Sequence, residues 1–296
     1  MIREMPFPTL YARSPLRVVL ATLYIAAAAV FTTACGEGMA SSSSETASTR
    51  PSLEVVTRLG HARVFFAHQS VGQNIVEGLE ALRAGTDATA LRILKLEDAT
   101  PDMTPAFIHA RLGTNGDPKG KTDAFVAALE NGLGNSVDIA FQKYCFVDFE
   151  ANTDVHAVFN YYRASMERLQ QRFPKLTILH VTAPIVVVQS GPRAIVKKWI
   201  GRTPDYYPEN AVREQFNELM RAQYGRSGRL FDLAAIEATR PGAAPEPMMF
   251  QGRRLYTLLP EYSSDGGHLN DDAQRRVASA LVSFLASAPH TAPAQQ

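Results

Sequence analysis

The chain has 296 residues, 46% of them apolar, so it is long enough and apolar enough to bury a sizeable core. Its 30 Lys and Arg residues nearly balance its 29 Asp and Glu residues, which leaves a formal net charge of +1. With no long basic block, the sequence offers no electrostatic footprint for nucleic acid, and nucleic-acid binding is not expected.

The first 34 residues have the pattern of a secretory signal peptide. Arginines at the start of the chain precede an apolar run at 18–31, VVLATLYIAAAAVF. A helix that spans a bilayer usually needs ~20 apolar residues, and this run is shorter. We therefore expect the segment to be cleaved and not to cross the membrane.

The residues after this run indicate where cleavage occurs. Ala34-Cys35-Gly36 resembles the junction of a bacterial lipobox, in which the cysteine becomes the lipidated N-terminus. Thr32 departs from the Leu, Val or Ile that is usual there, and ordinary secretion with cleavage after Ala40 is the alternative. The expected location is extracytoplasmic, in a bacterial cell envelope through lipidation of Cys35, or secreted.

Composition divides the rest of the chain into three parts. Residues 35–51 are a flexible tether rich in Ser and Thr, and 288–296 are a tail that we expect to be disordered. Neither an internal repeat nor a composition break divides 52–287, so one domain is predicted there. Its single cysteine, Cys145, allows no disulfide framework within that domain.

Within 52–287, short apolar segments alternate with longer amphipathic ones. The predicted strands are 63–67, 91–96, 137–144, 176–182 and 230–233. The predicted helices are 72–84, 122–131, 155–173, 209–224 and 271–286. This alternation is typical of a parallel sheet covered on both faces, so we predict a three-layer α/β/α, flavodoxin-like fold with about five strands. Ligands of such folds bind beyond the carboxyl ends of the strands.

Ser70 lies between the first predicted strand and the first predicted helix, in the stretch FFAHQSVGQN at 65–74. A serine before an apolar-periodic segment commonly caps the helix by accepting backbone N–H bonds. A nucleophilic serine instead needs a base to take its proton and an acid to orient that base. This stretch alone favours the cap.

A compact acid-base unit lies about 200 residues later, just before the last predicted helix. In the loop DGGHLN at 265–270, Asp265 and His268 are three residues apart, and Asn270 can cap the helix that follows. A turn with a capping residue is the alternative interpretation of this loop.

Together these two motifs resemble the SGNH/GDSL hydrolase superfamily. Within it, FFAHQSVGQNI, KYCFVDF at 143–149, HVTAP at 180–184 and DGGHLN are similar to a bacterial extracytoplasmic subgroup. The resemblance implies an SGNH-type fold, with Ser70 as the nucleophile, His268 as the general base and Asp265 as the acid that orients it. It also implies a serine hydrolase that removes acyl groups, O-acetyl groups among them, from esters.

Two departures from the superfamily pattern concern the oxyanion hole. Gln69 stands where an aspartate is usual, and the third block reads Lys143-Tyr144-Cys145 without the usual asparagine. The expected donors to an oxyanion are the Ser70 amide, the Gly116 amide, the Asn115 side chain and Lys143. A turn-rich surface loop is the equally open interpretation of 113–117. His68 and Asp148 are further polar candidates, as a structural hydrogen-bonding group and an alternative orienting acid.

The segment 186–207 is long for a connection after a strand, and such excursions often form lids or substrate walls. It contains Trp199, Tyr206 and Tyr207, which would suit a sugar ring as a substrate wall. Packing of a short amphipathic helix is the alternative role of Trp199.

The expected partners follow from these features. Neither a metal-site spacing of His or Cys nor a phosphate-binding glycine motif occurs, so no metal or other cofactor is predicted. We expect a monomer that acts on an acylated small molecule or glycan and meets the membrane through lipid on Cys35. An envelope glycan O-acyltransferase and a catalytically inactive SGNH-fold binding lipoprotein are the alternatives to the hydrolase.

Overall fold

The computed structural model describes residues 56, 59–84, 91–99, 104–203 and 205–289. The predicted signal peptide, the lipidation site Cys35, the tether and all but the start of the C-terminal tail lie outside these residues. The helices in the described ranges all lack the combination of length and apolar character that crossing a bilayer requires.

Strands and helices alternate along most of the described chain. The strands are β1 (Arg63–His68), β2 (Ile93–Lys95), β3 (Ala106–Arg111), β4 (Ile139–Gln142), β5 (Thr177–Ile178), β6 (His180–Val181), β7 (Leu230–Phe231), β8 (Met248–Phe250) and β9 (Arg253–Leu255). The helices are α1 (Ser70–Ala84), α2 (Pro118–Ala128), α3 (Val155–Arg172), α4 (Gly191–Trp199), α5 (Tyr207–Tyr224), α6 (Leu233–Glu237) and α7 (Asp271–Ser287). A π-helical turn (Leu129–Leu133) and one further helical turn (Gly134–Ser136) continue α2.

Five of the strands form a parallel sheet in the order β2-β3-β1-β4-β5. One residue after β5, β6 pairs in parallel with β7. Without the edge strand β2, the order β3-β1-β4-β5/β6-β7 is the flavodoxin-like order. The predicted α/β fold with a five-stranded parallel sheet is therefore confirmed, and β8 and β9 add a separate antiparallel hairpin.

Helices cover both faces of the sheet because neighbouring strand residues point to opposite sides. Phe66, Phe107 and Phe141 pack on the face that α1 and α7 cover. Phe65 and Ile108 pack on the other face, against α2, α3 and α5. Both layers are buried, which explains why the strand sequences are almost continuously apolar.

The sequence prediction missed β3, although β3 lies in the middle of the sheet. Its sequence, AFIHAR, forms a full parallel register with β1 from Arg63 opposite Ala106 to His68 opposite Arg111. The described part of the connection from β2 to β3 contains only a 3₁₀ turn (Leu96–Asp98). The helix that usually connects two parallel strands is therefore not seen in that part. The loop at 113–117 consequently follows β3 and not the strand predicted at 91–96.

Candidate active site

Ser70 is the first residue of α1, immediately beyond the carboxyl end of the central strand β1. The Gln69 carbonyl accepts the first helical bond, from the Gln73 N–H at 2.9 Å. The Ser70 hydroxyl lies 3.9 Å from Cys145 Sγ, and it has no other hydrogen-bond partner within the described ranges. The hydroxyl is partly exposed and does not cap the helix.

The turn from β1 into α1 is tight because Gly72 allows the first helical turn to lie on the end of the strand. A Cβ built on Gly72 would lie 2.2 Å from His68 Cβ, closer than real side chains approach. Only a glycine lets α1 start this close to β1, and this close start holds Ser70 at the edge of the sheet.

Asp265 and His268 form a hydrogen-bonded pair in the loop before α7. Asp265 Oδ2 lies 2.6 Å from His268 Nδ1, while Asp265 Oδ1 accepts the backbone N–H groups of Gly267 and His268 at 2.9 and 2.8 Å. The backbone bonds, ahead of the side-chain contact with His268, hold the pKa of Asp265 well below its usual range. An ionised carboxylate only accepts, so Nδ1 carries the proton and Nε2 is left as the basic nitrogen.

The two loops meet through α1 and through the residues after β4. The Leu269 N–H donates to Asn74 Oδ1, one turn along α1 from Ser70, at 3.2 Å. The Phe146 ring packs edge-on against the His268 ring, with 5.6 Å between centroids, while the preceding Cys145 contacts Ser70. Ser70 and His268 thus each contact one residue of the dipeptide 145–146.

A buried ion pair fixes the loops around this dipeptide. Lys121 Nζ lies 2.6 and 2.7 Å from the two carboxylate oxygens of Asp148, and both side chains are buried. The same carboxylate accepts the Cys145 N–H at 2.7 Å and the Gly116 N–H at 2.8 Å. Asp148 therefore ties the loop after β3 to the loop after β4, and its contacts do not include His268.

This pairing changes the set of available oxyanion donors. The Gly116 N–H is taken by Asp148, and the Lys143 N–H donates to the Ala67 carbonyl at 3.0 Å within the sheet. The Lys143 ammonium is buried and donates to the Tyr144 carbonyl at 2.7 Å. Asn115 is different, because Lys121 Nζ holds its Oδ1 at 2.8 Å and leaves its Nδ2 group to donate elsewhere. The amide of Ser70 is also outside the helical ladder, as the first N–H groups of a helix are.

Gln69 uses its amide group as a double donor. Its Nε2 donates to the carbonyls of Leu112 and Gly113, each at 2.9 Å. An aspartate, which only accepts when ionised, could not make these bonds. The departure at this position is thus explained by a neutral link between the β1–α1 turn and the loop after β3.

His68 has a structural role, and it connects this turn to a cavity. Its Nδ1 lies 2.8 Å from the Gln69 carbonyl and its Nε2 lies 2.9 Å from His109 Nδ1. Burial lowers the pKa of both rings, to about 3 for His68, so both are neutral. His109 lines a cavity of about 750 Å³ at the carboxyl ends of β2 and β3, with Lys95 and Arg111.

The backbone carbonyl of Phe146 is held by a buried arginine. Arg213 Nε donates to it at 2.9 Å, while Arg213 Nη1 donates to Asn210 Oδ1 at 2.7 Å. Burial lowers the pKa of Arg213 to about 10, which leaves it charged. Sequence reasoning missed Lys121 and Arg213, because neither lies near a motif and their partners are distant along the chain.

The aromatic residues predicted as a substrate wall are separated in the structure. Trp199 is 93% exposed at the end of α4, and Tyr206 is also exposed. Tyr207 is buried and packs against Phe250. The three rings therefore do not form one continuous wall. In the described part of the chain, no group of three or more His, Cys, Asp or Glu side chains is arranged to hold a metal ion.

Comparison with known proteins gives distant similarity only. No family model and no curated protein matches the chain. A Streptococcus pneumonia structure is 14% identical, with a TM-score of 0.42, and covers 78% of this chain and 91% of that one. A member of the lipolytic protein G-D-S-L family from Veillonella parvula is 15% identical (TM-score 0.38; 75% and 97% covered), and a lipopolysaccharide acetyltransferase periplasmic domain from Salmonella ser. Paratyphi A is 9% identical (TM-score 0.41; 78% and 88%). Similarity at this level does not establish an activity.

Proposed function

We propose that this chain is an exported serine ester hydrolase of the SGNH type, which removes acyl groups through an acyl-enzyme on Ser70. The observation that carries the proposal is a serine hydroxyl that caps no helix, together with a histidine whose tautomer is fixed by an ionised aspartate. Both side chains contact the dipeptide Cys145-Phe146. This is the composition of a nucleophile, a base and an orienting acid.

In the proposed reaction, Ser70 Oγ attacks the carbonyl carbon of the ester and passes its proton to His268 Nε2. The tetrahedral intermediate collapses, and His268 returns the proton to the departing alcohol. Water then attacks the acyl-enzyme with His268 again as the base, which releases the acid and restores Ser70. Asp265 stabilises the imidazolium that forms in each half and stays ionised throughout.

The negative charge on the intermediate needs N–H donors that are already in place. The Ser70 amide and Asn115 Nδ2 are the donors that we propose. Support for Asn115 comes from its Oδ1, which Lys121 holds at 2.8 Å, so that the amide group is oriented before substrate binds. The loss of one such donor typically slows an enzyme by ~10²- to 10³-fold.

Covalent labelling with a fluorophosphonate tests the proposal on the folded protein. We expect an adduct on wild-type protein, no adduct on Ser70→Ala, and strongly reduced labelling for His268→Ala and Asp265→Asn. The aspartate change leaves the histidine without a fixed tautomer and is expected to slow ester turnover by ~10⁴-fold. Ser136→Ala and His156→Ala are matched controls that should label as wild type, because Ser136 precedes β4 at the other edge of the sheet and His156 is exposed on α3.

An adduct that persists in Ser70→Ala would contradict the assignment of the nucleophile. Labelling without ester hydrolysis, combined with acyl transfer to an added sugar, would favour an envelope glycan O-acyltransferase. A folded wild-type protein that takes no label would favour a catalytically inactive binding lipoprotein.

The proposed substrates are acylated small molecules or glycans of the cell envelope, and the proposed location rests on the signal-like N-terminus. Mass spectrometry of the mature protein should find diacylglycerol on Cys35. An unmodified N-terminus at Ser41 would indicate ordinary secretion instead.

A further inference from the structure

Most of the exposed large apolar side chains belong to one short segment. In the part of the chain that the structure describes, seven such side chains are exposed, and five of them lie between 195 and 206. Ile195 is 66% exposed, Ile200 59% and Trp199 93%. Exposed apolar groups are usually scattered singly over a soluble surface, so this concentration calls for an explanation.

Helix α4 arranges these side chains on one face. Ile195 and Trp199 are four residues apart, as are Val196 and Ile200. Ile200 follows the helix directly, and its N–H donates to the Val196 carbonyl at 3.1 Å, so all four side chains lie on one side. Ala194, on the other face, is buried against the protein. A bond of 2.8 Å from the Arg202 N–H to the Lys197 carbonyl closes the C-terminal end of the helix. The apolar face therefore belongs to a well-formed helix that turns it away from the core.

Positive charges predominate around this face, and the nearby Asp205 carboxylate is paired with Lys197. Between 191 and 203 the sequence contains Arg, Lys and no Asp or Glu. Arg193 and Arg202 are exposed at the two ends of the apolar face. Lys197 is paired with Asp205 at 2.6 Å, so the two arginines are the exposed charges with no carboxylate partner in the described part of the segment.

We propose that α4 is a membrane-docking helix that lies on an anionic lipid surface, with Ile195, Val196, Trp199 and Ile200 inserted among the acyl chains and Arg193 and Arg202 at the lipid phosphates. An exposed apolar face flanked by cations is the pattern of helices that lie in the membrane interface. Tryptophan is enriched at that depth because its ring is apolar and its N–H finds polar partners. A protein surface of complementary shape would have to supply several acidic groups, whereas an anionic bilayer supplies them everywhere.

Docking through α4 would place the candidate site near the membrane. The connection that leads into α4 starts beside the loop that carries Asp265 and His268, where the Val187 N–H donates to the Gly266 carbonyl at 2.8 Å. Because α4 begins only four residues after this contact, a bilayer that holds α4 lies near that loop. The docking inference does not depend on whether Ser70 is a nucleophile.

The sequence contains a single tryptophan, so emission excited selectively from tryptophan and not from tyrosine reports on Trp199 alone. We expect its emission to shift to shorter wavelength when the full chain is mixed with vesicles of phosphatidylglycerol and phosphatidylcholine, and to be quenched by brominated acyl chains in those vesicles. Vesicles of phosphatidylcholine alone should give a smaller shift at the same lipid concentration. This readout separates docking of α4 from any binding by the N-terminal apolar segment, which holds no tryptophan.

Two sets of variants test the two parts of the surface. Arg193→Gln with Arg202→Gln should weaken α4 docking on anionic vesicles by about 10- to 30-fold, since each cation near such a surface contributes about one kcal/mol. The matched control is Arg172→Gln with Arg226→Gln, which removes the same charge from exposed positions elsewhere and should change docking little. Ile195→Ser with Ile200→Ser should reduce both the shift and the quenching, with an unchanged circular dichroism spectrum.

Trp199 emission that does not respond to anionic vesicles, while the protein sediments with them, would overturn the proposal. A shift that depends on protein concentration without lipid would assign the face to a second copy of the chain instead. Equal losses in the two double-arginine variants would show a general charge effect and would also contradict docking through α4.

Discussion

At the scale of single residues, the loops around Ser70 are held by side chains that donate hydrogen bonds. Gln69 holds two carbonyls of the loop after β3, and Lys121 holds Asn115 and Asp148. Each of these links needs N–H donors, and an ionised acid, which only accepts hydrogen bonds, could not form it. The residue before Ser70 therefore differs from the SGNH/GDSL pattern in a way that the local hydrogen bonds require.

Replacement of Gln69 by Glu tests this requirement with almost no change of shape. The carboxylate would face two carbonyl oxygens in place of donating to them, so we expect a loss of about 1–3 kcal/mol in the free energy of unfolding. Urea unfolding at neutral pH measures it. Gln171→Glu introduces the same charge at an exposed position on α3 and should change the free energy by less than about 0.5 kcal/mol. Equal effects of the two changes would show that the donor role of Gln69 is unimportant.

At the scale of elements, the first and last helices pack directly against each other over the same face of the sheet. Gly78 on α1 faces the backbone of α7, where a Cβ built on it would lie 2.3 Å from the Gln274 carbonyl oxygen. The two helix axes can approach this closely only without a side chain at that position. The contact also fixes the loop between 263 and 270, because that loop leads directly into α7.

Gly78→Ala is therefore expected to destabilise the protein although alanine is the better helix former. The gain in helix propensity is about 1 kcal/mol, and the forced separation of α1 and α7 should cost more than that, for a net loss of about 1–3 kcal/mol. The midpoint of urea unfolding measures the change. Glu80→Ala, at an exposed position of the same helix, should be neutral or slightly stabilising. A stabilised Gly78→Ala variant would show that the helices can move apart freely.

At the scale of the whole molecule, buried neutral histidines limit stability in acid. His180 lies in β6 between two helices, with Nδ1 2.8 Å from the Tyr162 hydroxyl on α3 and its ring stacked on Tyr224 of α5. Burial lowers its pKa to about 3, as it does for His68. Buried Glu237 has the opposite effect, because burial raises its pKa to about 8 and favours folding as the pH falls. The pH dependence of the free energy of unfolding combines the contributions of these histidines and of Glu237.

A comparison of wild type with His180→Gln isolates the histidine contribution. Above the pKa of an unfolded histidine, about 6.5, neither state of wild type binds a proton at this site. Below it the unfolded chain binds one and the folded protein does not, so wild-type stability falls towards pH 3 by up to about 1.4 kcal/mol per pH unit from this site. The loss in the free energy of unfolding that His180→Gln causes should therefore become smaller as the pH falls below 6.5. A loss in the free energy of unfolding for His180→Gln that stays constant from pH 6.5 down to pH 3 would contradict the burial argument.

The sequence predicted the architecture well wherever the pattern is local. The alternation of apolar strands with amphipathic helices indicated the three layers, and β1 and α3 were predicted to within a residue of their ends. β3 was missed because the described part of its connection to β2 contains only a 3₁₀ turn, so a second strand follows without the long helix that the pattern predicts. The motif pair at Ser70 and Asp265–His268 is visible in the sequence because each motif is contained within a few residues.

The oxyanion donors could not be predicted in the same way. Whether the Gly116 amide is free depends on Asp148, 32 residues away, and the orientation of Asn115 depends on Lys121. Those contacts result from the packing of two loops and leave no periodic trace in the sequence. The sequence alone therefore leaves two interpretations of 113–117 open, a surface loop and a loop that donates to an oxyanion.

The contact between α1 and α7 also determines when the fold can be completed during synthesis. Among the elements that the structure describes, α1 emerges early, yet the helix that packs on it, Asp271–Ser287, emerges last. β1 likewise waits for β3 and β4 before it has neighbours on both sides. A nascent chain that has not reached residue 271 keeps part of the apolar face of α1 uncovered and accessible to chaperones. The native core is complete only once the helix Asp271–Ser287 has been made.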